Sequence, residues 1–188
     1  MPVPHDDFAE FYEASYRRVV ALVAAIVGNR HQAEDIAQEA FARALTRWPQ
    51  VGRYDLPEAW VRRVALRLTV DAGRRMRRAL ALSAALAVTQ PRRGEVADPL
   101  ASTALSIALA RLPLPQRQVV VLYYLADLKV EDIARDCEVS VSTVRTRLAA
   151  ARHRLERELS EADDSEQDDS EQDDSEQDDS EQEVPGAR

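Results

Sequence analysis

Apolar side chains recur at spacings of three and four along most of the chain, and that period predicts helices. Phe8, Phe11, Tyr12, Val19, Leu22, Val23 and Ile26 form one buried face, with Gly28-Asn29 as the stop. A second helix is predicted from Ala33 to Trp48, with Ile36, Ala37, Ala40, Phe41, Ala44 and Leu45 as its stripe. Pro49 and Gly52 break it, and Pro57 sits where a first helical turn tolerates proline. A third helix, Glu58 to Arg78, buries Val61, Val64, Ala65, Leu68 and Ala72, and Ala79 to Val88 reads as its ragged end. Thr89 to Pro99 holds one Gly and two Pro and has no period, so it reads as a linker. One apolar helix begins the region after it. A short helix (Val130 to Cys137), a tight turn through Glu138, Val139 and Ser140, and a long basic helix follow. That last helix is anchored by Val144, Leu148, Ala151, Leu155 and Leu159. This is the order of a helix-turn-helix.

The expected fold is therefore all-α. Two small helical domains, 8–78 and 105–160, are joined by a flexible linker at 79–104, and the C-terminal one is a helix-turn-helix. A disordered acidic tail, 161–188, comes last. DDSEQ occurs four times in tandem from Asp163 to Gln182 without one apolar side chain, so nothing offsets the entropy of ordering and disorder is expected after a fraying end of the last helix.

Charge sharpens this picture. The chain carries a net −8, but residues 161–188 hold fourteen acids and one Arg, which leaves +5 on residues 1–160. The folded part is thus basic and suits a polyanion. Seven arginines (Arg62, Arg63, Arg67, Arg74, Arg75, Arg77, Arg78) fall within seventeen residues of the third helix, offset there only by Asp71. In the last helix Thr143, Arg145, Thr146, Arg147 and Arg152 point away from the core stripe. Ser140 or Ser142 can cap its N-terminus. The first turns of such a helix reach base edges in the major groove, where Arg bonds guanine bidentately. The tail admits two readings, a solubilising appendage or an internal nucleic-acid mimic.

Other chemistry is not indicated. The longest apolar run, Val19 to Val27, is nine residues, against roughly 20 for a membrane span. Met1 to Asp7 does not resemble a secretory signal. Cys137 is the single cysteine, which points to a reducing, cytoplasmic setting, and it reads as a core residue. His5, His31 and His153 have no metal-ligand spacing with it, so no metal or cofactor is expected. Without a Gly-rich phosphate loop or nucleophile elbow, the chain reads as no enzyme.

Three segments, in order, carry a family resemblance over about residues 8 to 160. AEDIAQEAFARAL (Ala33 to Leu45) resembles the polymerase-binding helix of bacterial extracytoplasmic-function (ECF) sigma factors. PEAWVRRVALRLTVDAGRR (Pro57 to Arg75) resembles their promoter-melting helix, and Leu112 to Leu155 resembles their C-terminal promoter-binding domain. The resemblance implies a subunit that binds core RNA polymerase and promoter DNA, with no membrane partner. It places Asp35, Gln38, Glu39 and Arg43 on polymerase. It places Arg62, Arg63, Arg67, Asp71, Arg74 and Arg75 at the −10 element, with the Gln50 to Leu56 loop holding an unstacked base. It places Ser140, Ser142, Thr143, Arg145, Thr146, Arg147 and Arg152 at the −35 element. Arg67 stands where family members commonly have Asn, which leaves the −10 base preference open. An anti-sigma factor is a common partner in the family, although no residue here demands one. The alternative is a stand-alone helix-turn-helix transcriptional regulator with a helical sensor domain.

Overall fold

Residues 5–85 and 104–177 are described by the computed structural model. Among them are α1 (His5–Val27), α2 (Arg30–Thr46), α3 (Trp48–Val51), α4 (Pro57–Ala85), α5 (Ala104–Arg111), α6 (Leu114–Tyr124), α7 (Val130–Asp136) and α8 (Val141–Gln177), and no strand.

The first core is built by α1, α2 and α4. Val19, Val23, Ala33, Ala37, Ala40, Phe41, Val61 and Ala65 are buried together in it. Alanines dominate the α2 side and let its backbone approach its neighbours closely. Gly28 ends α1 in the left-handed region (φ 73°), its N–H bonding the Ala24 carbonyl at 2.8 Å. Asn29 then caps α2 by accepting from Gln32 N at 2.9 Å.

The α2 stripe departs from expectation at its end. The helix stops at Thr46 rather than Trp48, its buried stripe ends at Ala44, and Leu45 is 43% exposed. Trp48 instead opens the separate turn α3, with Pro49 in its first positions, where a missing N–H costs nothing.

The second core gathers Leu109, Leu112, Val119, Val121, Leu122, Ile133, Val144, Leu148 and Ala151 from α5 to α8. The single apolar helix expected ahead of the turn is two helices, α5 and α6, because Pro113 interrupts the ladder. Cys137 is half-buried against this core.

The two halves pack against each other. Leu22, Ile26 and Leu66 of the first half are buried in the same cluster as the second core. Arg117 ties the seam: its guanidinium donates to Ile26 O (2.9 Å) at the end of α1 and to Leu112 O (3.0 Å) after α5, capping two negative helix ends at once.

Helix α8 continues to Gln177, through three of the DDSEQ repeats, well beyond the frayed helix end expected ahead of a disordered tail. Once nucleated by its buried seam, each added residue gains one backbone bond. Residues 178–188 and most of the linker, 86–103, lie outside the described residues. So does the side chain of Leu159.

Candidate nucleic-acid interface

Two basic surfaces come from two helices. The helix-turn-helix is α7, its turn and the start of α8. The α7 end is closed by a bond from Val139 N to Ala134 O (2.9 Å), with Glu138 in the left-handed region (φ 56°). That is the glycine-favouring position of a Schellman cap, and a side chain there costs about 1 kcal/mol. The Ser140 hydroxyl then accepts from Thr143 N (3.1 Å) and so caps α8. It also shares hydrogen bonds with the hydroxyls of Ser142 (2.8 Å) and Thr143 (2.7 Å). Thr146 donates back to Ser142 O at 3.0 Å, which leaves its oxygen lone pairs outward.

Ser140, Ser142, Arg145, Thr146 and Arg152 are exposed, and Thr143 and Arg147 are half-buried. Arg147 is near enough to Cys137 to act on its thiol. Arg152 is fixed one turn further on, over the rings of Tyr123 and Tyr124 (5.9 and 5.8 Å), donating to the Tyr124 hydroxyl at 2.8 Å. The structure thus brings Ser140, Ser142, Thr143, Arg145 and Thr146 together at one helix start. Arg152 stands apart from them with an aromatic partner.

The arginine face of α4 is more engaged than its sequence suggests. Arg62 Nε donates to Asp136 Oδ2 at 2.6 Å, in a pair whose side chains are 14% and 4% exposed. Arg63 lies 3.9 Å from the same carboxylate, and Arg67 pairs with Glu138. Arg74 lies 3.8 Å from Asp71, one turn back, and Arg75 is exposed. Asp136 and Glu138 flank Cys137, so the helix-turn-helix itself supplies the carboxylates. Sequence reasoning missed this pairing, and missed Gln118 and Thr69 beside it. No local signal singled it out: α7 and its turn carry four acids, Glu131, Asp132, Asp136 and Glu138, and nothing in the sequence says which of them meet α4.

The loop after α3 is positioned by aromatics. Trp48 stacks on Phe11 (centroids 5.0 Å) and meets Phe8 edge-on (5.1 Å). A Cβ on Gly52 would fall 3.0 Å from the Trp48 ring and 3.1 Å from its carbonyl oxygen, so a larger residue there would have to push the ring or the turn aside. Tyr54 and Leu56 then project outward, 39% and 71% exposed. On α2, Asp35, Gln38, Glu39 and Arg43 are all exposed on one side, with Arg43 bonded to Glu39 at 2.7 Å.

No group of three or more His, Cys, Asp or Glu side chains that could hold a metal occurs among the described residues. No helix among them is long and apolar enough to cross a membrane.

Comparison with known proteins gives the same two parts. Residues 11–79 match the family model Sigma-70 region 2, and residues 103–155 match Sigma-70, region 4. The chain is 30% identical to the ECF RNA polymerase sigma factor SigW of Bacillus subtilis over 173 residues, covering 83% of this chain and 90% of SigW. It is 31% identical to the ECF RNA polymerase sigma factor SigM of Mycobacterium tuberculosis, covering 81% of this chain and 76% of that one. Its fold is similar to that of the sigma factor RpoE of Bartonella quintana, solved in complex with the anti-sigma factor NepR (TM-score 0.65, 20% identity, 82% of this chain and 97% of that one). The matched regions, the relatives and the all-helical fold agree: the chain belongs to the ECF sigma factors, the RNA polymerase subunits that direct promoter-specific transcription.

Proposed function

We propose that the sigma factor reads a −35 element with the start of α8 and a −10 element with α4 while α2 holds core RNA polymerase. The observation that carries this is the pair of basic helical faces on one chain, each backed by a packed core. For the −35 element the readers are Ser140, Ser142, Thr143, Arg145, Thr146 and Arg147, with Arg152 behind them. The exposed hydroxyls and guanidinium at the capped helix start support this, because free N–H groups and Arg both suit DNA there. For the −10 element Arg62, Arg63, Arg67, Arg74 and Arg75 supply positive charge, with Asp71 among them. The loop through Tyr54 and Leu56 offers exposed surface for an unstacked base, whose extrusion costs a few kcal/mol. Asp35, Gln38, Glu39 and Arg43 dock on polymerase.

Each DNA contact is weak alone, and polymerase combines them by holding both modules at a fixed spacing. The subunit makes no bond itself and works in the cytoplasm beside polymerase. An anti-sigma partner belongs to the same proposal, supported by the fold shared with NepR-bound RpoE.

The test is run-off transcription by core polymerase with the purified chain, on promoters selected from a random library. A promoter-dependent transcript that is lost on Arg145→Ala with Arg147→Ala, and separately on Arg63→Ala with Arg67→Ala, is expected. Absence of any transcript, with tight duplex binding by the chain alone, would favour the stand-alone regulator.

A further inference from the structure

We propose that the last turn of α5 and the middle of α8 form a binding site for a diphosphate group, carried as free diphosphate or by a nucleotide. The site is distinct from the residues read as meeting the −35 element. Arg154, its central member, lies about 13 Å further along α8 than Arg145.

Two helices supply its parts. A surface cavity of about 170 Å³ is lined by Arg111, Leu112, Arg154, Arg157 and Glu158. Arg154 and Arg157 stand one helical turn apart on the same face of α8. Arg111, the last residue of α5, reaches across and pairs with Glu158. The negative end of α5 is already met by Arg117, which donates to Ala110 O and Leu112 O, so Arg111 serves α8 rather than its own helix. Among the described residues Arg154 has no carboxylate partner.

Three guanidinium groups around one carboxylate make a poor structural device. Like charges a turn apart disfavour the helix that carries them. The Arg111–Glu158 pair is open to water, its side chains 60% and 27% exposed, and such a pair adds little to stability. Leu112 is the one apolar side chain in the lining, so the arginine stems cover no core there. The arrangement does suit a multiply charged anion, because guanidinium forks match phosphate oxygens two at a time. A single phosphate group carries about −1.5 to −2 near pH 7, less than three guanidinium groups can neutralise. A diphosphate meets all three once Glu158 turns out to water. The lining holds no aromatic ring, so there is no wall on which a nucleobase could stack. Recognition therefore falls on the diphosphate and not on what it carries. Bound there, the anion ties the end of α5 to α8 and relieves the repulsion between Arg154 and Arg157.

The experiment is calorimetric titration of the full chain with sodium diphosphate in metal-free buffer, with ADP, orthophosphate and sulfate as separate titrants. One diphosphate per chain is expected, bound more tightly than orthophosphate or sulfate. Arg154→Ala, at an exposed site, should weaken it by roughly tenfold or more, the loss of one charge-assisted fork. Glu158→Gln removes the competing carboxylate and should tighten it by roughly threefold or more. Arg17→Ala, at an exposed arginine of α1, should bind as the parent does. Diphosphate should also raise the melting temperature of the parent chain more than that of Arg154→Ala, which shows that the variant folds and that the ligand acts on the folded state. ADP binding tighter than diphosphate would make a nucleotide the source, and weaker ADP binding would make it the free ion; either supports the site. Absence of diphosphate binding would overturn the proposal, as would sulfate binding equally well. So would an Arg154→Ala variant that binds like the parent, or an Arg17→Ala variant that loses as much as Arg154→Ala. Weaker binding by Glu158→Gln would equally count against it, since the carboxylate would then be holding the site together rather than competing for it.

Discussion

The Gln118 amide and the Thr69 hydroxyl meet at 2.9 Å inside the seam between the two halves, both side chains buried. Thr69 Oγ1 in turn donates to Leu66 O at 2.7 Å, so one hydroxyl satisfies the amide and its own helix. Thr69→Val keeps the shape and leaves the amide with a single long bond. The expected loss is about 1–2 kcal/mol, the desolvation of an under-bonded buried donor. Adding Gln118→Leu removes that donor and should return part of the loss, a coupling that a double-mutant cycle in urea unfolding reads directly. Strict additivity would mean the two side chains do not act together.

The seam also marks where the sequence stops being legible. The α2 stripe is read correctly through Ala44 because one helix face meets one core, and period alone reports that. Leu45 fails although it lies within the helix, because the buried stripe of α2 ends at Ala44. On α4 the failure runs the other way. Val61, Val64, Ala65 and Leu68 give one face, but Leu66, Thr69 and Gly73 form a second face against α6. A helix buried on two sides blurs its own periodicity, and Thr and Gly carry no hydrophobic signal. The Arg62–Asp136 pair was invisible for a related reason. Its members are 74 residues apart, and only the packing of α4 on α7 joins them. The helix-turn-helix was legible because cap, turn and basic face are local.

Gly28 should be the least tolerant glycine of the first half for backbone reasons alone. Its φ of 73° closes α1 just before the Asn29 cap of α2. A Cβ there would meet only Arg117 Nη1 at 3.9 Å, so space is not the obstacle. Gly28→Ala is expected to cost about 1 kcal/mol, and Gly28→Asn less, since Asn tolerates the left-handed region. Thermal unfolding of both variants checks the order; equal melting temperatures for Ala and Asn would refute the backbone argument.

Ser140 and Arg145 separate stability from readout on the same helix start. Ser140→Ala removes the cap on Thr143 N and should destabilise the chain by about 1 kcal/mol. Arg145→Ala, at an exposed site, should leave unfolding unchanged while weakening holoenzyme binding to its −35 sequence by about 1–3 kcal/mol. Arg145→Lys keeps the charge but loses the bidentate fork, so it should bind phosphate at the same salt slope with poorer base discrimination. Promoter binding measured over a salt series, on matched and single-substituted −35 duplexes, distinguishes these outcomes.

Cys137 gives a pH signature of the turn. Burial pushes its thiol from an ordinary 9.0 up to about 11; the neighbouring Asp136 carboxylate adds to the shift, and Arg147 and Arg62 oppose it. The native state therefore keeps the thiol protonated while the unfolded chain already ionises. Its contribution is fully present below pH 9 and is lost as pH climbs through 11, a slope of about 1.4 kcal/mol for each unit between the two values. Cys137→Ala removes this group and leaves every other titration in place. The difference in urea stability between parent and variant should hence be flat up to pH 9 and shrink by roughly 2–3 kcal/mol by pH 11. In parallel, iodoacetamide should modify the native thiol at pH 8 far more slowly than the unfolded one, because only the thiolate attacks. A difference curve that stays flat through pH 11 would place the thiol in water and contradict its packing against the second core.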